Sequence, residues 1–287
     1  MRKFVMALIC AALIPMSAAR AQLFAPNSSG VSMGHLHYFV RDVAKNRKFW
    51  IDLGATPVML GTREVLRFPG VTVLLTQGNP SGNSEGSVVD HVGFRVPNVR
   101  RLMEKMVDAG YKVQLSGSLT GKVGNVWAPE GERIELLEDQ SINVKFAPDQ
   151  GAYVPPPKMT VPITLHHIHL YVPAGAIAEA KAWYVKEFGA APGKRYKTEE
   201  PPYEAADLPG VNLNFAAAHG ALKPTKGRAL DHIGFEIANL QAFTRKLEES
   251  GVKLDAPYKV LPNGLANAYV TDPWGTRIEL TEGLNKL

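Results

Sequence analysis

The sequence predicts an α+β protein built from two similar halves, and an internal repeat is the main evidence for this. The segment 90–94 (Asp-His-Val-Gly-Phe) recurs as 231–235 (Asp-His-Ile-Gly-Phe), and 131–136 (Gly-Glu-Arg-Ile-Glu-Leu) recurs as 275–280 (Gly-Thr-Arg-Ile-Glu-Leu). Between these segments, stretches with helical period alternate with stretches of period two. A helix followed by a run of strands, repeated along the chain, indicates an α+β fold with mostly antiparallel sheet.

Each half is itself double. A strand that carries histidine, a helix of about three turns and two or three further strands make one unit. Four such units are predicted, at about 33–78, 87–139, 163–220 and 228–284. A glycine is the predicted C-terminal stop of each helix, at Gly54, Gly110, Gly189 and Gly251.

The units divide the chain into two predicted domains, 33–139 and 162–287. The segment 140–161, which contains three consecutive prolines, is predicted to be an extended linker. Residues 22–32 are rich in Ser, Asn and Gly and are predicted to form an N-terminal arm. The repeat leaves open whether the two halves pair with each other or with a second chain, so a homodimer is one of the expected arrangements.

The first 21 residues have the pattern of a secretory signal peptide. A basic start (Met1-Arg2-Lys3) precedes the apolar run 4–14, and Ala19-Arg20-Ala21 is a small-x-small cleavage site. The run is too short to span a membrane, which takes about 20 residues. We therefore expect an exported, periplasmic protein with no membrane segment in the mature chain.

The cysteine count and the charge exclude two kinds of function. The only cysteine, Cys10, lies in the predicted signal, so the mature chain has neither disulfides nor thiol chemistry. The formal charge of +5 includes three basic residues of the signal and falls to about +2 without them. The sequence contains no block of five or more lysines and arginines, so we expect no nucleic-acid partner.

Two imidazoles and one carboxylate occupy equivalent places in each half. Within a half, they are expected to converge inside one sheet: His35, His91 and Glu135 in the first half, and His167, His232 and Glu279 in the second. This donor set favours a divalent metal with positions left open for substrate. It is typical of non-haem Fe²⁺, with Mn²⁺ and Zn²⁺ as alternatives.

Each of these residues also has a simpler interpretation. A single strand histidine is more often a hydrogen-bonded or surface residue than a ligand, and only the repetition of the trio favours metal. His37 and His169 share the face of the first ligands and could contact substrate or only solvent. Asp90 and Asp231 precede ligands and should face away from them, which favours a turn or capping role.

At these residues the chain resembles the vicinal oxygen chelate superfamily, which includes glyoxalase I, extradiol dioxygenases and bleomycin-resistance proteins. The resemblance covers nearly all of 33–284. It implies paired βαβββ modules that form a cupped sheet, with ligands on the first and last strands. Leu74 and Asn214 stand where glyoxalase I has a further glutamate, so the resemblance implies a three-ligand site like that of extradiol dioxygenases.

The end of the second half is similar to the extradiol signature: Tyr269-x-x-Asp272-Pro273-x-Gly275-x-x-x-Glu279. The resemblance implies that Tyr269 helps to position the substrate oxygens, and His169 is a further candidate to orient or protonate the substrate. Asn125 takes the tyrosine's place in the first half. The favoured hypothesis is a metal-dependent dioxygenase with a small-molecule substrate. A glyoxalase-type lyase or isomerase and a non-catalytic binding protein are the alternatives.

Overall fold

The structure, a computed structural model, describes residues 23–115, 122–138, 159–195 and 203–286. The predicted signal peptide lies outside these residues, as does most of the predicted linker 140–161. The predicted domain boundaries stay a prediction.

All four predicted units are present, and each has the order βαβββ. The first unit contains β1 (Val31–Val40), α1 (Val43–Leu53), β2 (Thr56–Leu60), β3 (Arg63–Phe68) and β4 (Val71–Gln77). The second contains β5 (Val89–Val96), α2 (Val99–Asp108), β6 (Val113–Leu115), β7 (Val123–Trp127) and β8 (Arg133–Glu138). The third contains β9 (Thr164–Val172), α3 (Ile177–Phe188), β10 (Ala191–Arg195), β11 (Tyr203–Leu208) and β12 (Val211–Ala217). The fourth contains β13 (Leu230–Ile237), α4 (Leu240–Glu249), β14 (Leu254–Val260), β15 (Ala266–Thr271) and β16 (Arg277–Glu282). Short 3₁₀ turns occur at Ala174–Ala176 and Leu284–Lys286.

The strands form two eight-stranded sheets, and the predicted α+β class is confirmed. One sheet has the order β14-β15-β16-β13-β1-β4-β3-β2, and the other has the order β10-β11-β12-β9-β5-β8-β7-β6. In the first sheet β1/β4 and β13/β16 are parallel and the other neighbours are antiparallel. The first unit is thus paired with the fourth and the second with the third. The expectation that the two units of one half share a sheet is wrong.

The helices begin and end where the sequence provides caps. Asp42 accepts the backbone N–H of Lys45 at the start of α1, and Asn98 and Asn239 cap α2 and α4 in the same way. The four predicted stop glycines all have positive φ, from 64° at Gly189 to 126° at Gly54. Among the described residues, no helix is both long and apolar enough to cross a membrane.

The aromatic core packs units of the same half together. Trp50 of α1 lies 6.2 Å from Phe94 of β5 between ring centroids, and Phe68 lies 4.9 Å from Phe94. In the second half, Phe188 of α3 lies 5.0 Å from Phe235 of β13. The helix side of each sheet is therefore packed within a half, whereas the sheets themselves join the two halves. This leaves the opposite face of each sheet to hold the polar side chains.

Candidate metal centres

The first centre lies where β1, β13 and β16 run side by side. Antiparallel pairing sets His37 beside His232 and His35 beside Gly234, and parallel pairing sets Gly234 beside Glu279. The Nε2 atoms of His35 and His232 each lie 3.0 Å from Oε2 of Glu279. Together with His37, these residues offer ligand atoms that all lie within 4.8 Å of one another.

The second centre repeats this arrangement on β5, β8 and β9. Nε2 of His167 lies 3.2 Å from Nε2 of His91 and 3.3 Å from Oε2 of Glu135. The corresponding separation between His91 and Glu135 is 3.7 Å. His91, His167 and His169 offer donor atoms within 4.8 Å of one another.

The six predicted ligands thus form two clusters, but not in the predicted groups. His35 joins His232 and Glu279, and His167 joins His91 and Glu135. The expected convergence within each half is wrong, because β1 pairs with β13 and β9 pairs with β5 across the halves. Each centre therefore takes one histidine from one half and a histidine plus a carboxylate from the other.

A glycine in the repeated Asp-His-x-Gly-Phe segment makes room for the ligand from the opposite half. A Cβ added to Gly234 would lie 2.0 Å from Cε1 of His35, and a Cβ added to Gly93 would lie 2.1 Å from Cε1 of His167. No side chain fits at either position unless the imidazole moves. This role was not predicted, although the repetition of the glycine two residues after the histidine carried the signal.

An aspartate holds the outer nitrogen of one histidine in each centre. Nδ1 of His232 donates to Oδ1 of Asp231 at 2.5 Å, while the Arg277 guanidinium and the Gly227 N–H also donate to this carboxylate at 2.6 Å. In the second centre Nδ1 of His91 donates to Asp90 at 2.7 Å. Protonation at Nδ1 leaves the Nε2 lone pair of each imidazole facing its cluster.

The expectation that these aspartates face away from the ligands is wrong, and β-bulges explain why. His37 pairs with His232 whereas Tyr38 pairs with Leu230, so Asp231 is the extra residue of a bulge. Asp90 occupies the same position between Val89 and His91. A bulge breaks the period-two alternation and redirects a side chain. Both carboxylates consequently reach the histidine that follows them.

Electrostatics keep the carboxylate of the first cluster ionised and His35 neutral. Burial would raise the pKa of Glu279, but its close contacts with His232 and His35 outweigh burial and hold this pKa well below the usual range. Burial dominates at His35 and lowers its pKa. Burial also opposes the charged form of His232, yet the hydrogen bonds to Asp231 and Glu279 raise its pKa. At neutral pH the centre therefore contains an ionised carboxylate and a neutral His35 imidazole.

Two further histidines lie on the rim of the clusters. Burial lowers the pKa of His37 to about 2 and that of His169 to about 3, so both are neutral donors or acceptors at pH 7. Leu74 lies beside His37 in the register and Asn214 lies beside His169. The cup face thus carries no carboxylate at these two positions, and the second histidine of each first strand is the nearest additional donor.

Tyr269 distinguishes the first centre from the second. It lies opposite Glu279 on β15, with its ring centroid 5.5 Å from that of His232. The guanidinium carbon of Arg277 stands 4.5 Å over the tyrosine ring. Burial and the Glu279 carboxylate raise the pKa of Tyr269, so its hydroxyl remains a hydrogen-bond donor at neutral pH. Asn125 lies opposite Glu135 in the second centre, as the sequence alignment of the halves predicted.

The donor set and spacing fit a divalent ion. Ligand atoms about 2.1 Å from an ion, at angles of 90–110°, are separated by roughly 3.0–3.4 Å. The separations of 3.0 Å in the first centre and 3.2–3.7 Å in the second are close to this range. One imidazole in each centre, His232 or His91, also has the carboxylate partner on its outer nitrogen that metal-binding histidines usually have.

Comparison with known proteins agrees with this geometry. Residues 164–280 match the family model described as Glyoxalase/Bleomycin resistance protein/Dioxygenase superfamily. This segment contains the third and fourth units of the chain and is similar to the superfamily. The predicted resemblance is confirmed, and members of the superfamily typically bind a divalent metal.

Two solved structures share the fold across almost the whole chain. Glyoxalase I from Zea mays is 17% identical, with a TM-score of 0.66 over 89% of this chain and 94% of that chain. A putative dioxygenase from Bacillus subtilis is 13% identical, with a TM-score of 0.59 over 91% of this chain and 86% of that chain. No curated protein sequence matches. At these identities the likeness concerns the fold, so the reaction has to be argued from the site.

Proposed function

We propose that this protein is a divalent-metal-dependent enzyme that acts on a small substrate through two adjacent oxygen atoms. The observation that carries the proposal is the buried cluster of His35, His232 and Glu279, in which Nε2 of each histidine lies 3.0 Å from Oε2 of the glutamate. Asp231 behind His232 fixes the tautomer that such a centre requires. Fe²⁺ is the favoured ion, with Mn²⁺ and Zn²⁺ as alternatives.

The residues of the first centre divide the chemical work among them. His35, His232 and Glu279 would hold the ion, which supplies Lewis-acid polarisation of two chelated oxygens and, if it is Fe²⁺, a means of activating dioxygen. The protonated hydroxyl of Tyr269 donates a hydrogen bond to a substrate oxygen and orients it. In the second centre His169 is the candidate for the corresponding proton transfer, because burial keeps its imidazole neutral.

A dioxygenase of the extradiol type is favoured over an isomerase. Three protein ligands leave open positions for two substrate oxygens and for dioxygen. Leu74 supplies no donor at the position where glyoxalase I has a further glutamate, and Asn214 supplies no carboxylate. The second candidate is a glyoxalase-type isomerase or lyase. It is favoured by His37, whose imidazole lies close enough to the cluster to serve as a fourth ligand.

Metal content is the first test. Anaerobic incubation with Fe²⁺, Mn²⁺ or Zn²⁺, followed by desalting, should leave about two ions per chain for the preferred metal. His232→Ala and His91→Ala should each remove one ion. Retention of less than about 0.2 ion per chain for every metal would contradict the proposal.

Reaction type is tested next on the Fe²⁺-loaded protein. Oxygen uptake with catechols, matched by a ring-cleavage product, supports the dioxygenase. Isomerisation of a hemithioacetal without oxygen uptake supports the glyoxalase type. Stoichiometric metal with tight ligand binding but no turnover in either assay would leave the binding-protein alternative.

We further propose that the chain is exported to the periplasm after cleavage behind Ala21. The basic start, the apolar run 4–14 and the small-x-small site support this proposal. N-terminal sequencing of protein recovered from a periplasmic fraction should begin at Gln22. Recovery of the chain in the cytoplasm with residues 1–21 still attached would refute it.

A further inference from the structure

Arg63 lies beside the first centre, at a position that a tyrosine occupies in the second half of the chain. Arg63 is the first residue of β3, and its side chain crosses β4 toward the first centre. Its Nη2 donates to the carbonyl of Leu75 and to Oγ1 of Thr76, both at 2.8 Å. The same nitrogen lies 3.5 Å from Nε2 of His37, whose ring belongs to the metal-ligating cluster. The guanidinium is therefore held in place beside the centre.

The contacts that hold Arg63 leave most of its binding capacity unused. A guanidinium has five N–H donors in a planar fork, and among the described residues the hydrogen bonds of Arg63 all come from Nη2. Within the same part of the chain, Arg63 forms no salt bridge with a carboxylate. Its positive charge thus faces the cup with N–H groups available to a planar anion.

The wall next to Arg63 is apolar. Val65 lies two residues after Arg63 on the same face of β3, and Leu60 lies opposite Arg63 on β2. On β4, Leu74 lies two residues before Thr76 and shares its face. All three are buried in one cluster, with Val65 only 1% exposed. A ligand that occupies this part of the cup would place an apolar body against the wall and a negative group at the rim.

In the second half a tyrosine takes the position of Arg63. β11 is the counterpart of β3, and its first residue is Tyr203 where β3 begins with Arg63. The two strands are equivalent in the repeat. Each leads through a Pro-Gly turn into the strand that pairs with the first strand of its unit. The two centres consequently share their ligand types but differ in the residue type at this position.

We propose that Arg63 binds a carboxylate of the substrate, so that the first centre selects a chelating molecule that also carries an anionic group. This inference rests on the proposed function, because it assumes that substrate oxygens occupy the ion held by His35, His232 and Glu279.

Binding of two probes tests the inference without requiring turnover. Catechol and 3,4-dihydroxybenzoate are titrated into protein loaded with Fe³⁺, and the ligand-to-metal charge-transfer absorption of the bound catecholate reports each Kd. The measurement is made in the His167→Ala background, so that only the first centre contributes. Wild-type Arg63 should bind the carboxylated probe about 10- to 100-fold more tightly than Arg63→Met does, while catechol binds both equally.

Two controls separate the carboxylate contact from general charge effects. Arg47→Met removes a cation from the helix α1 surface, where it pairs with Glu64, and should leave both Kd values unchanged within about twofold. Arg63→Lys keeps the charge but loses the planar fork and should recover only part of the preference.

The outcomes distinguish this inference from the proposed function. If catechol gives the charge-transfer band but Arg63→Met retains the preference for the carboxylated probe, the role of Arg63 is refuted and the proposed function stands. If the protein binds iron but neither probe gives the band, both are refuted. If all preference also disappears in Arg47→Met, the effect is long-range and Arg63 is not the binding residue.

Discussion

Replacing Gly234 with alanine should empty the first centre and leave the second intact. The added Cβ would lie 2.0 Å from Cε1, 2.2 Å from Nδ1 and 2.4 Å from Nε2 of His35. The backbone of Gly234 does not have positive φ, so alanine brings no conformational strain of its own. The expected consequence of the substitution therefore comes from the collision of the new Cβ with the imidazole.

The magnitude follows from how tightly His35 is held. Its side chain is 0% exposed and Nε2 lies 3.0 Å from Oε2 of Glu279, so a shift of the ring would break this buried contact. Overpacking of a buried site costs about 1–3 kcal/mol, and we expect the upper part of this range. Loss of a group that is hydrogen-bonded to a metal ligand typically weakens metal binding by roughly 10- to 100-fold. Displacing His35, which is itself one of three ligands, should weaken it by more.

Urea denaturation of the metal-free protein and metal analysis of the loaded protein measure the two effects. Gly93→Ala is the mirror variant, since its Cβ would lie 2.1 Å from Cε1 of His167, and it should lose the ion of the second centre instead. Gly175→Ala is the matched control, because no atom lies within 4 Å of its added Cβ. It should change the free energy of unfolding by no more than about 0.5 kcal/mol.

A double-mutant cycle isolates the contact itself. Gly234→Ala should cost at least about 1 kcal/mol less when His35 is already alanine than when it is histidine. The reasoning is refuted if the two costs are equal. It is also refuted if Gly234→Ala keeps both ions at wild-type affinity, because the His35 ring would then not lie over Gly234.

Three other substitutions test the surroundings of the first centre. Asp231→Asn should weaken metal binding at the first centre by about 10- to 100-fold without changing the stoichiometry, because the amide no longer fixes the His232 tautomer. Chelator competition measures this affinity, and an unchanged value would show that Asp231 does not support the ligand. Tyr269→Phe should keep the metal and its Kd but lower turnover of the best catechol by at least about tenfold, and an unchanged kcat would remove the tyrosine from the reaction. Burial raises the pKa of Glu236 to about 7, so the folded state binds a proton on this carboxyl more tightly than the unfolded chain does. The free energy of unfolding should therefore fall as pH rises from about 4.5 to about 7. Urea denaturation across that range should show a flatter pH dependence for Glu236→Gln, and parallel curves would contradict the shift.

Much of the fold was predictable because the sequence repeats its local signals. The four βαβββ units follow from histidine-bearing strands, helices of about three turns and stop glycines such as Gly54 and Gly189, all of which depend on neighbouring residues. Periodicity placed His35 and Glu279 on the cup face for the same reason. These are short-range properties, and the structure agrees with them.

Pairing between units was not predictable from those signals. A strand such as β1 can pair with β5 or β13, since both begin with the same Asp-His-x-Gly-Phe pattern. The glycine accommodates a histidine from a neighbouring first strand without indicating which one. Likewise, the bulge at Asp231 is a property of the β1/β13 register, so alternation along one strand assigned its carboxylate to the wrong side.

The crossed pairing has a physical consequence for how metal and fold depend on each other. Each half packs its helices against elements of the same half. Trp50 of α1 contacts Phe94 of β5, and Phe188 of α3 contacts Phe243 of α4. Each centre, however, combines a first-strand histidine of one half with a histidine and a carboxylate of the other. An ion in either centre would therefore cross-link the two halves where β1 meets β13 or β5 meets β9, and binding free energy at the site becomes stability of the interface. Loss of one ion should loosen the halves at one sheet while the other sheet still holds them, which gives two equivalent centres a structural reason to persist even if only one performs catalysis.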